Sequence, residues 1–281
     1  MIKIRRLLII VFAVAGIILG FCLAIEKPKG AYSGEPASGE IAAADEGIDL
    51  LIEKLKSEDS QVSQEAADGL AGLGKRAVPK LLGALKGASI GLKGQIIFIL
   101  GRIQDKRAMP ALRYAMQDEN AYIRGNAAIA FGKIKDKYAL DRLTTALSDD
   151  DAGVKKSSAR ALGELKDPQA VEDLIDRLTI EKDESSKTAI VKAFAKIRDQ
   201  RTTYILLDEL KSQNDQLYKN EVVFSLGEIG DLRAIPQLTA YLDNLKSYKP
   251  VEKIVIYAWQ QAIRIAEEAI NKIRKANEST N

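Results

Sequence analysis

The sequence has no histidine, a single cysteine and few aromatic residues. Among its 281 residues are one Cys, one Trp and 6% aromatics in all. The absence of histidine excludes every Ser-His-Asp and Cys-His catalytic arrangement, every His-ligated metal site and any histidine pH switch. The sequence also has no cysteine cluster, glycine-rich phosphate loop or nucleophile elbow. These absences predict a protein that is not an enzyme, with no catalytic residue, metal or cofactor.

Charges of the two signs almost cancel. The chain carries 42 Lys and Arg against 39 Asp and Glu, a formal net charge of +3. Lys3, Arg5 and Arg6 are the charged residues among the first 25, so the rest of the chain has as many cations as anions. A neutral body argues against nucleic acid as a partner, because phosphate binding requires a basic excess. With 46% hydrophobic residues the chain can bury a sizeable core.

One long uncharged run lies near the N-terminus, from Leu7 to Ile25. As a helix it would be about long enough to cross ~30 Å of hydrocarbon, and the cations before it predict Met1 on the cytoplasmic side. Three fates stay open: a single-pass anchor, cleavage after Ala24, or cleavage before Cys22 with lipidation there, at a sequence that resembles a lipobox. The predicted localisation is the cell envelope. The later residues would be extracytoplasmic (periplasmic) and anchored, or secreted or lipidated after cleavage.

Composition divides the chain into four parts. Residues 26–45 are rich in Gly, Ala, Ser, Pro and Glu without apolar periodicity, which predicts a flexible linker. The predicted organisation is a signal or transmembrane segment at 1–25, the linker at 26–45, helical repeats at 46–249, and a C-terminal capping helix and tail at 250–281.

A short motif recurs along residues 46–249. It reads Leu-Gly-Arg-Ile-Gln-Asp from Leu100 to Asp105, and a weaker copy without the Asp ends at Gly74. The Asp residues of the clear copies stand 31, 31, 32 and 32 residues apart, at Asp105, Asp136, Asp167, Asp199 and Asp231. Six copies at so steady a spacing predict a repeat architecture.

Each copy predicts two helices. The second shows apolar residues along one helical face, as in Ile123, Ala127, Ala128, Phe131 and Ile134. The first starts just after the Asp, and prolines stand early in it, at Pro79, Pro110 and Pro236, where a missing N–H costs nothing. A helix pair with one apolar stripe cannot bury that stripe alone, so successive pairs must stack into an elongated solenoid.

The pattern L-G-x-[IL]-x-D-x-x-A-x-P-x-L followed by D-x-x-A-x-[VI]-[RK], over about residues 46–242, resembles the HEAT-repeat family. It is similar to the short bacterial phycobilisome-lyase HEAT-like repeats. The resemblance implies an all-α fold, an armadillo/HEAT-like α-solenoid with a right-handed superhelix of stacked helix pairs. Relatives of this repeat type act on chromophore proteins, so it also implies a lyase-like or chaperone role as one alternative.

Two stretches depart from the repeat. From Pro250 to about residue 275 apolar residues continue at helical spacing over a length greater than a repeat helix, which predicts a terminal cap. The copy that begins at Phe194 has Ala195 in place of the motif glycine. Gly83, Gly87, Gly91 and Gly94 predict a bend or a soft joint near the start of the array.

Aligned copies place a cation early in each second helix, at Lys93, Arg124, Lys155, Lys187 and Lys219. One interpretation is a ridge that attracts anions; the favoured one is a structural ladder, in which each cation pairs with an acid six residues before it. Such acids precede three of them, at Asp118, Asp149 and Glu181. Lys93 and Lys219 have none, so we expect these two to be free.

The row of Asp residues that ends each motif could suggest acid or metal chemistry. Capping of the helix that follows explains it better, because each Asp begins a turn. We therefore expect partner contacts on the exposed side of the second helices instead. The candidate partner-binding residues are Lys93, Tyr122, Asn126, Arg160, Lys192 and Lys219.

These observations together predict a non-enzymatic protein-interaction scaffold. It would be exported and tethered to a membrane through Leu7 to Ile25, and it would bind a protein or peptide rather than nucleic acid or a small molecule. The alternatives are the lyase-like or chaperone role on a cofactor-bearing protein and a structural spacer without a specific ligand.

Overall fold

The computed structural model describes residues 38–136, 138–212, 215–248 and 253–278. The residues from Glu46 onward form one compact unit. The described helices are α1 (Ser38–Lys54), α2 (Ser60–Leu73), α3 (Val78–Ala84), α4 (Ile90–Ile103), α5 (Met109–Ala115), α6 (Ala121–Ile134), α7 (Ala139–Ala146), α8 (Ala152–Leu165), α9 (Val171–Ile180), α10 (Glu184–Ile197), α11 (Thr203–Ser212), α12 (Gln216–Ile229), α13 (Ile235–Ser247) and α14 (Lys253–Glu278). Odd-numbered helices are the first of each pair and even-numbered helices the second. The predicted all-α solenoid of stacked pairs is confirmed.

The first helix begins inside the stretch for which the composition predicts a linker. Helix α1 starts at Ser38, so residues 38–45 of the predicted linker 26–45 are helical. Between Gly39 and Gly47 the sequence contains neither Gly nor Pro and includes three consecutive alanines, which favour helix. Residues 26–37 lie outside the described residues.

The Asp that ends each clear copy of the motif caps the start of the next helical segment. The carboxylates of Asp105, Asp167, Asp199 and Asp231 each accept a hydrogen bond from a backbone N–H two residues later, at the start of a short 3₁₀ turn that leads into a first helix. Asp136 does the same at Tyr138. The Asp row therefore satisfies free helix N–H groups, as predicted. Pro79, Pro110 and Pro236 stand in the first turn of α3, α5 and α13, again as predicted.

The second helices pack closely against one another through the motif glycines. A Cβ placed on Gly101 of α4 would lie 2.6 Å from the Cα of Ala130 in α6. The same relation joins Gly132 to Ala161, Gly163 to Ala193 and Gly227 to Ala269, at 2.8, 2.9 and 2.9 Å. Backbones can approach this closely only where no side chain intervenes. Since Ala269 lies in α14, this long helix occupies the place of a second helix after α12.

The core runs along the array between the two layers of helices. Phe131 and Phe194 are its largest buried side chains, and the apolar stripe predicted for α6 is buried throughout. The glycine-rich stretch does not interrupt α4, which is continuous through Gly91 and Gly94. The turn before α4 contains Gly87, with φ +71°.

The predicted localisation needs correction. The candidate span Leu7 to Ile25 and the candidate lipidation site Cys22 lie outside the described residues. Of the helices in the described ranges, none combines the length and the apolar character that crossing a membrane requires. All but α14 have 17 residues or fewer, and α14 carries charged residues along its length. On this finding the prediction of a single-pass envelope protein is wrong for the described chain.

Candidate functional site

One row of side chains, exposed except for a half-buried isoleucine in α6, runs across the second helices. Its members occupy equivalent positions of α4, α6, α8, α10 and α12, namely Phe98, Ile129, Arg160, Lys192 and Phe224. The rings at the two ends are exposed to 36% and 51% of their area. We call the surface around this row the second-helix face. Large exposed apolar side chains that recur on one face mark a surface built for contact.

A groove of about 910 Å³ lies on this face between α8, α10 and α12. Its floor includes Ala189, Ala193 and Ala195, and Phe224 lines one side. Two carboxylates, Glu221 and Glu228, face six cations. The cations are Lys156, Arg160, Lys166, Lys192, Lys196 and Arg198. We call this feature the basic groove.

The groove coincides with the one clear copy of the motif that lacks its glycine. Elsewhere the glycine lets two second helices approach to backbone contact. In α10 the equivalent residue is Ala195, and its side chain lines the groove. Ser225 of α12 contacts α10 beside it, through a hydrogen bond of 3.0 Å to the Val191 carbonyl. The basic groove therefore lies next to the one alanine that replaces a motif glycine in the clear copies.

Three of the groove's cations have ion pairs that link successive repeats. The Lys192 Nζ lies 3.1 Å from the Glu221 carboxylate, Lys196 pairs with Glu164, and Arg198 pairs with Glu228. Burial raises the pKa of Glu228, but hydrogen bonds from Lys272 and Arg198 lower it more, so the net pKa is below its usual value. These pairs are partly exposed, and such pairs contribute little to stability.

The other three cations of the groove have no ion pair among the described residues. They are Lys156, Arg160 and Lys166, on α8 and at its C-terminal end. Arg160 also lines a smaller groove of about 520 Å³ between α4, α6 and α8. There the Lys133 ammonium lies 5.9 Å from the centre of the Phe98 ring. Arg160 therefore connects the two grooves into one face.

The cation row predicted early in each second helix forms a ladder, but its register differs from the prediction. Four of the five cations pair with an acid that precedes the next second helix, not in the predicted register of six residues. The pairs are Lys93 with Asp118 at 3.2 Å, Arg124 with Asp149 at 2.7 Å, Lys155 with Glu181 at 3.1 Å and Lys187 with Glu209 at 3.5 Å. The expectation that Lys93 is free is wrong. Lys219 alone of the five has no ion pair within the described chain, and Asn244 stands where the next acid would be.

The candidate partner-binding residues fall into three groups. Arg160 and Lys192 share the basic groove. Tyr122 and Asn126 lie together on α6. The Tyr122 ring covers Gly94 of α4, where a Cβ would come within 2.2 Å of it, and Asn126 donates a hydrogen bond to the Tyr122 carbonyl. Lys93 pairs with Asp118 on the ladder, and Lys219 stands at the equivalent position of α12 without an ion pair among the described residues.

Sequence reasoning missed Phe98, Phe224, Lys156 and Lys166. A signal for the first two was present, since both stand at the same repeat position as Arg160 and Lys192. Because the same repeat position holds a cation in other copies, a Phe there is expected to be exposed and not to belong to the buried apolar stripe. The lysines carried no such signal, because their convergence depends on how far apart α8, α10 and α12 stack. Among the described residues no cluster of acidic or sulfur side chains could hold a metal.

Solved structures resemble the fold. The complex of CpcE and CpcF of phycocyanin lyase from Nostoc sp. PCC7120 matches with a TM-score of 0.50 and 22% identity, over 53% of this chain and 98% of that one. Importin beta matches with a TM-score of 0.57 and 16% identity, over 86% of this chain and 38% of that one. At these identities the likeness is one of fold alone. No curated protein matches the sequence.

Family comparison agrees with the repeat motif and with the helix pairs. The description "HEAT repeats" matches residues 78–159, 110–195 and 140–226, which together cover more than half of the chain. The description "PBS lyase HEAT-like repeat" matches residues 219–244. The matched residues begin at α3 and extend into α13, the same pairs that stack through the motif glycines. The chain therefore belongs to the HEAT-repeat family.

Proposed function

We propose that the chain is a protein-interaction scaffold that binds a partner protein along the second-helix face. The observation that carries the proposal is the row from Phe98 to Phe224, which repeats once per helix pair and is exposed at both ends. Between the two rings stands Arg160, a cation without an ion pair in the described chain. Aromatic and Arg side chains are the residues that most often dominate the energy of protein interfaces.

The size of the face suits a protein partner. Second helices that pack about 10 Å apart give a row of five positions a length of roughly 40 Å. A stable interface buries about 800 Å² on each partner. A small molecule would cover only one of the two grooves, whereas a protein segment can cover both.

The alternative is a lyase-like or chaperone role on a cofactor-bearing protein. Its support is the fold that the chain shares with the phycocyanin lyase subunits. The chain has no His, and its one Cys, Cys22, stands outside the repeats, so the repeats hold no thiol or imidazole for covalent transfer. This composition favours the scaffold. The same composition is compatible with a chaperone that binds its client protein without a covalent step.

The test is site-specific photocrosslinking with the full chain in its native cells. A photoreactive amino acid replaces Phe224 or Arg160 on the second-helix face, and the matched control replaces Tyr114 of α5, a first-helix side chain exposed to 76%. We expect the same partner to be crosslinked from both face positions and not from Tyr114, as identified by mass spectrometry.

Two results would contradict the proposal. Equal crosslinking of that partner from Tyr114 would mean that the second-helix face has no special role. Absence of any crosslinked species from either face position, with the variants folded by circular dichroism, would favour the structural spacer.

A further inference from the structure

We infer that the basic groove binds an acidic, extended segment of the partner protein. The inference rests on the proposed function and adds the chemistry of the partner. Six cations and two carboxylates line the groove, although the chain beyond its first residues is neutral. A local excess of one sign in a neutral chain selects a ligand of the opposite sign.

Three of the cations are available without breaking an existing ion pair. Lys156, Arg160 and Lys166 have no ion pair in the described chain; Lys166 has only a longer-range attraction to the Glu164 carboxylate, whose main partner is Lys196. They line the side of the groove that α8 and its C-terminal end contribute. The pairs on the opposite side, such as Lys192 with Glu221, are partly exposed and weak, so an incoming carboxylate can exchange with them. Both sides of the groove can therefore bind carboxylates.

The backbone at two groove cations is in a conformation that costs least for glycine. The residue after each of α4, α6, α8, α10 and α12 is left-handed. Gly230 follows α12, whereas the other four are Gln104, Lys135, Lys166 and Arg198, with φ between +52° and +61°. Of these four, Lys166 and Arg198 line the basic groove.

The groove dimensions and its apolar side set the form of the ligand. Three second helices about 10 Å apart span roughly 20 Å, the length of about six extended residues. Phe224 offers half of its ring area at one side, which suits one apolar residue within the acidic segment. A nucleic acid would need a basic stripe longer than this groove.

The test measures fluorescence polarisation of labelled peptides with the full chain at low salt. The probe is a peptide of about seven residues, acidic except for one central leucine; its counterparts replace the acids with glutamine or with lysine. We expect the acidic peptide to bind, the glutamine peptide to bind at least about tenfold more weakly, and the lysine peptide not to bind. Added salt should weaken binding of the acidic peptide.

Variants tie the binding to the groove. Combined Lys156→Glu, Arg160→Glu and Lys166→Glu should abolish binding. The matched control changes three exposed cations outside the groove by the same total charge, with Lys54→Glu, Lys106→Glu and Lys182→Glu. Binding of the acidic peptide should be unchanged in this control. Lys166→Gly alone should raise the urea midpoint of unfolding, because glycine relieves the left-handed backbone, and should weaken binding of the acidic peptide. The weaker binding is the result that a lysine without a binding role would not give.

The outcomes separate this inference from the proposed function. Tighter binding of a single-stranded oligonucleotide or of inorganic phosphate than of the acidic peptide would overturn the acidic-segment assignment. So would acidic-peptide binding that survives the groove variant. In either case crosslinking from Phe224 would still stand as support for the scaffold; its loss would overturn the scaffold whatever the peptides do.

Discussion

Arg124 of α6 binds Asp149, the acid that precedes α8, bidentately through one edge of its guanidinium. The Nε lies 2.7 Å from one carboxylate oxygen and the Nη2 2.8 Å from the other, while Nη1 donates to the carbonyl oxygens of Asp118 and Glu119. Hydrogen bonds from Arg124 hold the pKa of Asp149 below its usual value. One side chain thus joins the loop before its own helix to the loop before the next, which fixes the spacing of two repeats.

Arg124→Ala should therefore destabilise the array. Both side chains are largely buried, and the substitution leaves the Asp149 carboxylate and two carbonyls without these partners. We expect a loss of about 2 to 3 kcal/mol in the free energy of unfolding, measured by urea unfolding followed by circular dichroism. Arg124→Lys should lose an intermediate amount, because an ammonium cannot bind bidentately.

The exposed pair of Glu53 and Lys56 is the control for that measurement. Lys56→Ala removes an ion pair of 2.6 Å between two half-exposed side chains. Its cost should stay below about 0.5 kcal/mol. Equal effects of Lys56→Ala and Arg124→Ala would contradict a structural role for the ladder.

Gly101→Ala should destabilise the chain although alanine is the better helix former. The new methyl group would meet the Cα of Ala130 at 2.6 Å, so the backbones of α4 and α6 must separate. We expect a net cost of about 2 kcal/mol, since forced overpacking outweighs the gain of about 1 kcal/mol in helix propensity. The readout is again the urea midpoint.

Gly72→Ala in α2 is the matched substitution at an open position. A Cβ on Gly72 meets nothing within 4 Å, so only the propensity gain applies. It should stabilise the chain by up to about 1 kcal/mol. If both variants shifted stability in the same direction, close approach would not be the reason for the motif glycines.

The sequence predicts those features that are local to one repeat and that recur from copy to copy. The caps at Asp105 and Asp231 and the buried stripe with Phe131 follow from spacing within one repeat, and the structure confirms them. The register of the ladder could not be predicted in this way. Whether Arg124 reaches an acid six residues back or one 25 residues ahead depends on the offset between stacked helices, which is a property of packing.

The same limit applies to the candidate site. Arg160 and Lys192 could be chosen as exposed cations of the second helices, but their convergence on one groove with Lys156 and Lys166 follows from how α8 and α10 stack. Stacking is a property of packing between repeats and leaves no signal within one copy of the motif.

Ser158→Ala should stabilise the protein. Ser158 is fully buried in α8, and its hydroxyl has no hydrogen-bond partner among the residues that the structure describes. An unsatisfied buried hydroxyl costs about 1 kcal/mol or more, which the substitution removes with little change of volume. A rise in the unfolding midpoint is the expected result.

Ser225 provides the opposite case in α12. It is equally buried, but its hydroxyl lies 3.0 Å from the Val191 carbonyl oxygen and 2.8 Å from that of Glu221, so its one proton always has an acceptor. Ser225→Ala should cost about 1 kcal/mol, because it removes these bonds. A midpoint that falls for Ser158→Ala as well would mean that the Ser158 hydroxyl has a partner in solution.

Glu181 makes the stability of the array depend on acid pH. Burial raises the pKa of this carboxyl, but hydrogen bonds from the Asp183 N–H, Arg177, Lys155 and the Lys182 N–H lower it more, to about 2 from 4.5. Because the folded-state pKa is the lower one, the stabilisation is fully present above pH 4.5 and is lost as the pH falls toward 2. The shift corresponds to about 3 kcal/mol.

Glu181→Gln isolates this contribution. An amide cannot ionise, so the variant should be less stable than the native chain at pH 7 and should approach it in stability as the pH falls toward 2. Urea unfolding at a series of pH values between these limits measures the difference in unfolding free energy between the two proteins. Other carboxylates contribute equally to both proteins and so cancel from this difference. Parallel curves for the two proteins would contradict the lowered pKa of Glu181, because its ionisation would then contribute the same in the folded and unfolded chains.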